Sequence, residues 1–182
     1  INKYYLRWIL RAWRYRLKVE KQEVNFMLSH LKSGQTSIDI GAHKGAYTYW
    51  MSKYVGKYGK VIAFEPQPEL YNQLNTLLKH SNSNNVNLES LALSSSKGEA
   101  TMVIPGKKTS PSASIHNNKQ NGLGTKITVE KTTLDDYFCS QNQSTINYIK
   151  CDVEGHELDV LIGGQKILQK FQPIIALESE AR

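Results

Sequence analysis

Hydrophobic positions along this chain repeat at two periods, and the two alternate. From residue 3 to about 32 the spacing is three or four. Lys3, Arg7, Arg11, Arg14, Lys18 and Lys21 fall on one face, and Tyr5, Leu6, Ile9, Leu10, Trp13 and Leu17 lie away from it. Val24, Met27, Leu28 and Leu31 continue an apolar face, which predicts one long amphipathic helix stopped by Lys32-Ser33-Gly34. Short apolar runs then predict strands at Thr36–Ile40, Lys60–Phe64, Val86–Leu93, Ala100–Ile104, Ile127–Lys131, Ile146–Cys151 and Ile174–Leu177. Helical periodicity fills Ala46–Val55, Pro68–His80 and Gly155–Phe171. Thr133-Leu134-Asp135-Asp136 has the Thr-x-x-acid spacing of a helix cap. Residues 105–126 are rich in Ser, Asn, Lys and Gly and show no period.

Strands alternating with helices predict an α/β domain with a mostly parallel sheet flanked by helices. In such a sheet ligands bind beyond the carboxyl ends of the strands. Asp39, Glu65, Asp152 and Glu178 fall at predicted strand ends, so one rim is expected to carry them. The organisation expected is a basic amphipathic helix over 1–32 and one domain over 33–182. The chain opens on Ile1 and stops four residues after Glu178, which predicts a fragment truncated after that last strand.

Charge sharpens this division. The net charge is +7, but residues 1–21 hold seven Lys/Arg and one acid, leaving 16 basic against 15 acidic groups in the rest. A neutral body argues against a nucleic-acid groove spread over the domain, so no nucleic-acid partner is expected. The basic helix has three readings: a solvated face of a helix packed on the domain, peripheral contact of residues 1–21 with an anionic membrane surface, or contact with a partner domain. Hydrophobic residues make up 40% of the chain and charged residues 21%, a globular composition. No apolar run approaches the ~18 residues of a membrane span. Cys139 and Cys151 fit neither a zinc spacing nor a disulfide framework, which points to a reducing, cytoplasmic compartment. Asn142-Gln143-Ser144 matches a glycosylation sequon with no secretory context to give it meaning.

Three constellations could carry chemistry. Gly41-Ala42-His43-Lys44-Gly45 bounds a strand-to-helix turn with glycines, letting backbone approach a ligand; a plain tight turn reads the same way. Glu65 follows Gly41 by 24 residues, at the end of the next strand, where an acid can accept from ribose hydroxyls. Turn and acid together point to a nucleoside ligand. The spacing fits an adenosine-containing methyl donor or a nicotinamide dinucleotide, and the lack of Gly-x-Gly-x-x-Gly disfavours the latter. The third is Lys150-Cys151-Asp152-Val153-Glu154-Gly155-His156-Glu157, which crowds ionisable groups at a strand end. Crowded like charges raise a pKa toward the range where a base works best; solvated acids capping a helix are the plainer reading.

Taken in order, Asp39-Ile40-Gly41-Ala42-His43-Lys44-Gly45, Ala63-Phe64-Glu65-Pro66, Thr133-Leu134-Asp135-Asp136 and Ile149 to Glu157, followed by Leu161 and Gly163-Gly164, resemble the FkbM-type methyltransferases. Ser112-Ala113-Ser114-Ile115 is similar to a serine-containing segment of that family. The resemblance runs from about Val24 to Glu178. It implies a Rossmann-like class I methyltransferase fold that binds S-adenosylmethionine. It places Asp39, Gly41, Ala42, His43 and Gly45 around the methionine end, Glu65 on the ribose, and Ser90 and Leu91 toward the adenine. His43 departs from the family pattern, which more often has Asn there.

What the resemblance implies for activity is O-methylation of a hydroxyl on a sugar, glycan or hydroxylated natural product. Alignment of the acceptor oxygen can supply ~7–11 kcal/mol, and a base ~100- to 10,000-fold. Asp152 is the expected base, with Glu154 and His156 as partners that tune or replace it. A divalent metal on Asp152, Glu154, His156 and Glu178 is the less favoured arrangement. The rival readings are a nicotinamide-dependent oxidoreductase and a nucleoside-binding module without turnover.

Overall fold

The computed structural model of the 182-residue chain describes residues 3–105, 109–110, 113–115, 124–139, 141 and 143–178. At its centre lies a five-stranded sheet of β1 (Thr36–Ile40), β2 (Lys60–Phe64), β3 (Val86–Glu89), β7 (Tyr148–Cys151) and β8 (Ile174–Leu177), in the order β3-β2-β1-β7-β8. Every pairing is parallel. From β1 the chain walks outward through β2 to β3, then returns to β1's other side for β7 and β8. The reversal lies between β1 and β7, where open α/β sheets form their ligand crevice.

The strand sequences follow from being covered on both faces. Ile38, Ile40, Ile62, Phe64, Ile149 and Cys151 pack with Leu134, Phe138, Val160 and Ile167, from α5 (Leu134–Cys139), α6 (Glu157–Ile162) and α7 (Gln165–Phe171). The alternate positions point the other way. Val61 and Tyr148 meet α3 (Ala46–Val55) and α2 (Lys21–His30), while Ala63 meets Trp8 of α1 (Lys3–Arg14) and Leu74 and Leu78 of α4 (Pro68–His80). Burial on both faces explains why these strands read as continuous apolar runs.

A smaller sheet sits beside the first. Its order is β4-β6-β5, from β4 (Ala92–Leu93), β5 (Gly98–Ile104) and β6 (Thr125–Thr132). β5 and β6 are antiparallel, and β4 runs parallel to β6. Between β5 and β6, Ser114 exchanges both backbone hydrogen bonds with Val103.

Three expected elements are interrupted. The N-terminal helix passes into a π-helical stretch at Tyr15–Val19 and breaks at Glu20, whose backbone leaves helical space (φ −128°, ψ 53°). The predicted strand Val86–Leu93 splits at Ser90-Leu91, and its halves join different sheets. The predicted helix Gly155–Phe171 starts at Glu157 and is divided by Gly163-Gly164, where a Cβ on Gly163 would collide with the Ser94 carbonyl. The cap is as expected: the Asp136 N–H donates to Thr133 Oγ1 at 2.9 Å.

The N-terminal helices share the core of the domain. Ala12, Val24, Met27, Leu28 and Leu31 pack with Tyr47, Trp50 and Met51. Trp8 is 3% exposed, donates Nε1–H to the Gly45 carbonyl at 2.9 Å and meets Tyr49 edge-on at 5.2 Å. Trp8→Ala is expected to lower stability by ~3–5 kcal/mol in a single urea transition. A loss below about 0.5 kcal/mol would mean that the helix is only laid on the surface.

Candidate functional site

The site grows from the turn after β1. Gly41 (φ 78°) and Gly45 (φ 73°) adopt the left-handed backbone that only glycine enters freely. A Cβ on Gly41 would collide with the Asp152 carbonyl, and one on Gly45 with Leu74. The turn is pinned by the N–H groups of Gly41 and Ala42, both donating to the Phe64 carbonyl, and by Gly45 N–H to the Ala42 carbonyl at 2.7 Å. His43 is also left-handed (φ 50°). Asn, Asp and His enter that conformation more readily than most side chains. The His43 ring nitrogen Nε2 is buried without a partner, and burial, then Lys44 and Arg11, pull its pKa down to about 4, so the ring is neutral near pH 7.

Glu65, 2% exposed, is held where β2 ends. Its Oε2 accepts the His43 N–H at 2.7 Å, and its Oε1 accepts the Gln67 N–H at 2.9 Å. A carboxylate has about four lone-pair positions, so roughly two remain for a ligand. Burial pushes this carboxyl up to about 7, against the pull of those two N–H groups.

Near the end of β7, Lys150 Nζ donates to Asp152 Oδ2 at 2.9 Å and lies 4.9 Å from the centre of the Tyr47 ring. Burial lowers the Lys150 pKa, but Asp39 and Asp152 outweigh it and hold the group above its ordinary value. Asp39 is fully buried beneath the turn; Thr48 donates to its Oδ2, and its Oδ1 has no partner. Its carboxyl is pushed up by burial, against Lys150 and Thr48. At the end of β8, Glu178 is pushed up to about 7, first by burial and then by the neighbouring Asp152 carboxylate.

A cleft of about 190 Å³ joins these elements; its lining includes Gly41, Ala42, His43, Glu65, Leu91, Asp152, Glu154, His156 and Glu178. Of the expected site residues, Ser90 is exposed and, with Asp39 and Gly45, lies outside that lining. Asp39 sits one layer below, bonded to Thr48, and Gly45 closes the turn from behind. Glu154 is strained (φ 54°), and its carbonyl accepts Ser114 Oγ–H at 2.9 Å, tying the loop after β5 to the loop after β7. His156 is 4% exposed, with Nε2 3.0 Å from Ser94 Oγ and Nδ1 3.4 Å from Asp159 Oδ2. Of the serine-containing segment, Ser112 lies outside the described residues, as does Asn142 of the sequon. Among the described residues no three His, Cys, Asp or Glu side chains converge as a metal-ligand set.

Arg11, Tyr15 and Glu20 from the N-terminal segment, Lys44 from the turn, Tyr47 from the first turn of α3, and Lys150 also line the cleft. The basic stripe and the Lys-Cys-Asp order carried that signal only in part, because nothing in the periodicity says which face of a helix meets a cleft.

The family match decides the identity: residues 39–182 match the FkbM methyltransferase domain. The chain belongs to the FkbM methyltransferase family. It is 28% identical over 164 residues to the hexuronic acid methyltransferase AglP of Haloferax volcanii, covering 90% of this chain and 64% of that relative. Among solved structures it resembles a SAM-dependent methyltransferase from Aquifex aeolicus (TM-score 0.46, 19% identity, 93% of this chain and 70% of the other). It also resembles a SAM-dependent O-methyltransferase from Thermotoga maritima (TM-score 0.35, 19% identity, 47% of this chain and 44% of the other).

The Glu65 carboxyl is expected to titrate near pH 7 by carbon-13 NMR, against ~4.3 for a free Glu. Its folded value lies above the unfolded one. Its stabilising contribution is therefore complete below the ordinary value of 4.5 and is lost as pH rises through about 7. Titration near 4 would show that the carboxyl is solvated rather than buried.

Proposed function

We propose that this chain transfers a methyl group from S-adenosylmethionine to a hydroxyl oxygen of a sugar. The observation that carries the reading is Glu65: a buried carboxylate, fixed by two backbone N–H groups at the mouth of a glycine turn, with acceptor capacity left over. That is what two adjacent ribose hydroxyls require. The unpartnered His43 Nε2 fits a polar ligand in the same place. Gly41 and Ala42 bring backbone to the crevice with at most a methyl group beside it, and Leu91 gives an adenine an apolar wall. When bound, S-adenosylmethionine supplies an electrophilic methyl carbon on a sulfonium. The sugar class comes from the relative's name and from the family.

A hydroxyl oxygen becomes a good nucleophile as its proton leaves, and a base with its pKa near ambient pH removes it best. Asp152 and Glu178 form a carboxylate pair at the cleft, and Glu178, raised toward neutrality, fits that role beside Asp152. Lys150 Nζ, at 2.9 Å, fixes the Asp152 carboxylate. In this reading the acceptor proton passes to the Asp152–Glu178 pair, and His156 and Glu154 shape the cleft wall. A nicotinamide-dependent oxidoreductase gains no support from the family match.

Asp152→Asn and Glu178→Gln are each expected to lower methyl transfer by ~100-fold or more. Calorimetric affinity for S-adenosylhomocysteine should stay within about threefold of wild type, an effect below 1 kcal/mol. Transfer that survives both changes would remove the pair from the mechanism. Donor binding with no transfer to any sugar by the wild-type chain would favour the module without turnover.

We also propose peripheral membrane contact through residues 1–21. Leu6, Leu10, Trp13 and Leu17 recur at four, three and four residues, and all are 42–59% exposed. An exposed apolar stripe on a segment whose Lys3, Arg16, Lys18 and Lys21 lie outside both cavities suits an anionic bilayer surface. No helix among the described residues is long and apolar enough to cross a membrane. The chain should co-sediment with vesicles containing phosphatidylserine but not with pure phosphatidylcholine, and Leu6→Ser/Leu10→Ser/Leu17→Ser should stay in the supernatant. Equal sedimentation of the triple variant would rule the contact out.

A further inference from the structure

A second cavity, of about 960 Å³, runs between α1 and α4. Its cationic lining is Arg7, Arg11 and Arg14 from α1 and Lys44 from the glycine turn. No Asp or Glu lines it. Among the described residues, neither the three arginines nor Lys44 makes a salt bridge. Uncompensated cations in a groove disfavour the folded state unless something anionic sits among them. Lys44 is held below its ordinary pKa by burial and then by the neighbouring Arg11. The chain outside residues 1–21 is nearly neutral, so this density of positive charge is local.

The groove is joined to the catalytic cleft. Arg11, Tyr15 and Lys44 line both. Positions 7, 11 and 14 lie one helical turn apart, so their side chains form a row spaced by ~5–6 Å. A row of forked guanidinium groups suits a row of anions rather than one clustered charge. Tyr4 and Tyr15 add aromatic surface, and the amides of Asn72 and Gln73 add polar groups along the opposite wall. Such a mixture fits the apolar faces and hydroxyls of linked sugars.

We propose that this groove holds the acceptor: an oligosaccharide carrying repeated carboxylate groups, laid along α1 so that one sugar enters the cleft past Arg11 and Lys44. The proposal rests on the methyl-transfer reading and narrows it to acidic glycans. The groove charge recognises the neighbouring sugars, while the cleft presents the hydroxyl to Asp152 and Glu178.

The test is calorimetry on the full chain saturated with S-adenosylhomocysteine. The titrants are tetragalacturonate, its carboxyl-reduced neutral counterpart, inorganic pyrophosphate, and a thymidine oligonucleotide of equal charge. The uronide should bind at least about tenfold more tightly than the other three, and its affinity should fall as salt rises. Arg7→Ala/Arg14→Ala should weaken the uronide by about tenfold or more and leave S-adenosylhomocysteine affinity within about threefold. Arg7→Gln alone, a milder change, should move the uronide in the same direction. Lys126→Ala/Lys170→Ala, which removes equal charge outside the groove, should leave both unchanged. Equal affinity for the neutral sugar, tighter binding of pyrophosphate or the oligonucleotide, or indifference to both arginine variants would overturn the proposal. The two readings fail differently: uronide binding without S-adenosylhomocysteine affinity sinks methyl transfer alone, and the reverse sinks the groove alone.

Discussion

The close packing of the turn after β1 against the backbone after β7 is the constraint on which the site depends. Gly41 has no room for a Cβ because the Asp152 carbonyl already occupies that space. The same Asp152 donates its N–H to the Ile40 carbonyl at 3.1 Å. Phe64, at the end of β2, accepts from both Gly41 and Ala42. Three strand ends are thereby locked at one height, and Glu65 and Asp152 follow directly from two of them. Any side chain at position 41 would separate β1 from β7 and spread the carboxylates that face the crevice.

The turn also ties the N-terminal segment to the sheet. Gly45 has its carbonyl bonded to Trp8 Nε1, and Trp50 Nε1 donates to the Ala12 carbonyl at 2.8 Å. These indole bonds cross between α1 and the turn-and-α3 segment. Buried N–H donors left unpaired would cost about 1–3 kcal/mol each, so the register of α1 is fixed by donors and not by apolar contact alone. That register is what brings Arg11 to the cleft and lines Arg7 and Arg14 along the groove.

Much of this could be read from the residues. The strands Thr36–Ile40 and Lys60–Phe64, the helices Ala46–Val55 and Pro68–His80 and the parallel sheet all follow from apolar runs bounded by Gly and Pro. Local pattern decides such elements. The interruptions were not legible, because long-range contacts impose them. Ser90-Leu91 divides an apolar run only because Ala92 and Leu93 find a second sheet to pair with. Gly163-Gly164 breaks a helix where the Ser94 backbone presses against it. The site was legible as motifs but not in depth. Asp39 and Glu65 look alike as strand-end acids, yet the first is buried against Thr48 and the second reaches the cleft.

The electrostatics of the rim follow from that difference in depth. Lys150 reaches two acids at different depths: it bonds the half-buried Asp152 directly and attracts the fully buried Asp39. One ammonium cannot compensate three carboxylates. Asp39 and Glu178 are both pushed upward, and their shifts share two causes: burial, and repulsion from Asp152. Glu178 is the more solvated of the two, so its proton can leave for water as well as for a ligand. Depth thus sets the two apart: Asp39 stays bonded to Thr48 beneath the turn, and Glu178 stands beside Asp152 at the cleft. Lys44 and Arg11 line both the cleft and the groove, so positive charge stands at the junction between the carboxylate rim and the arginine row.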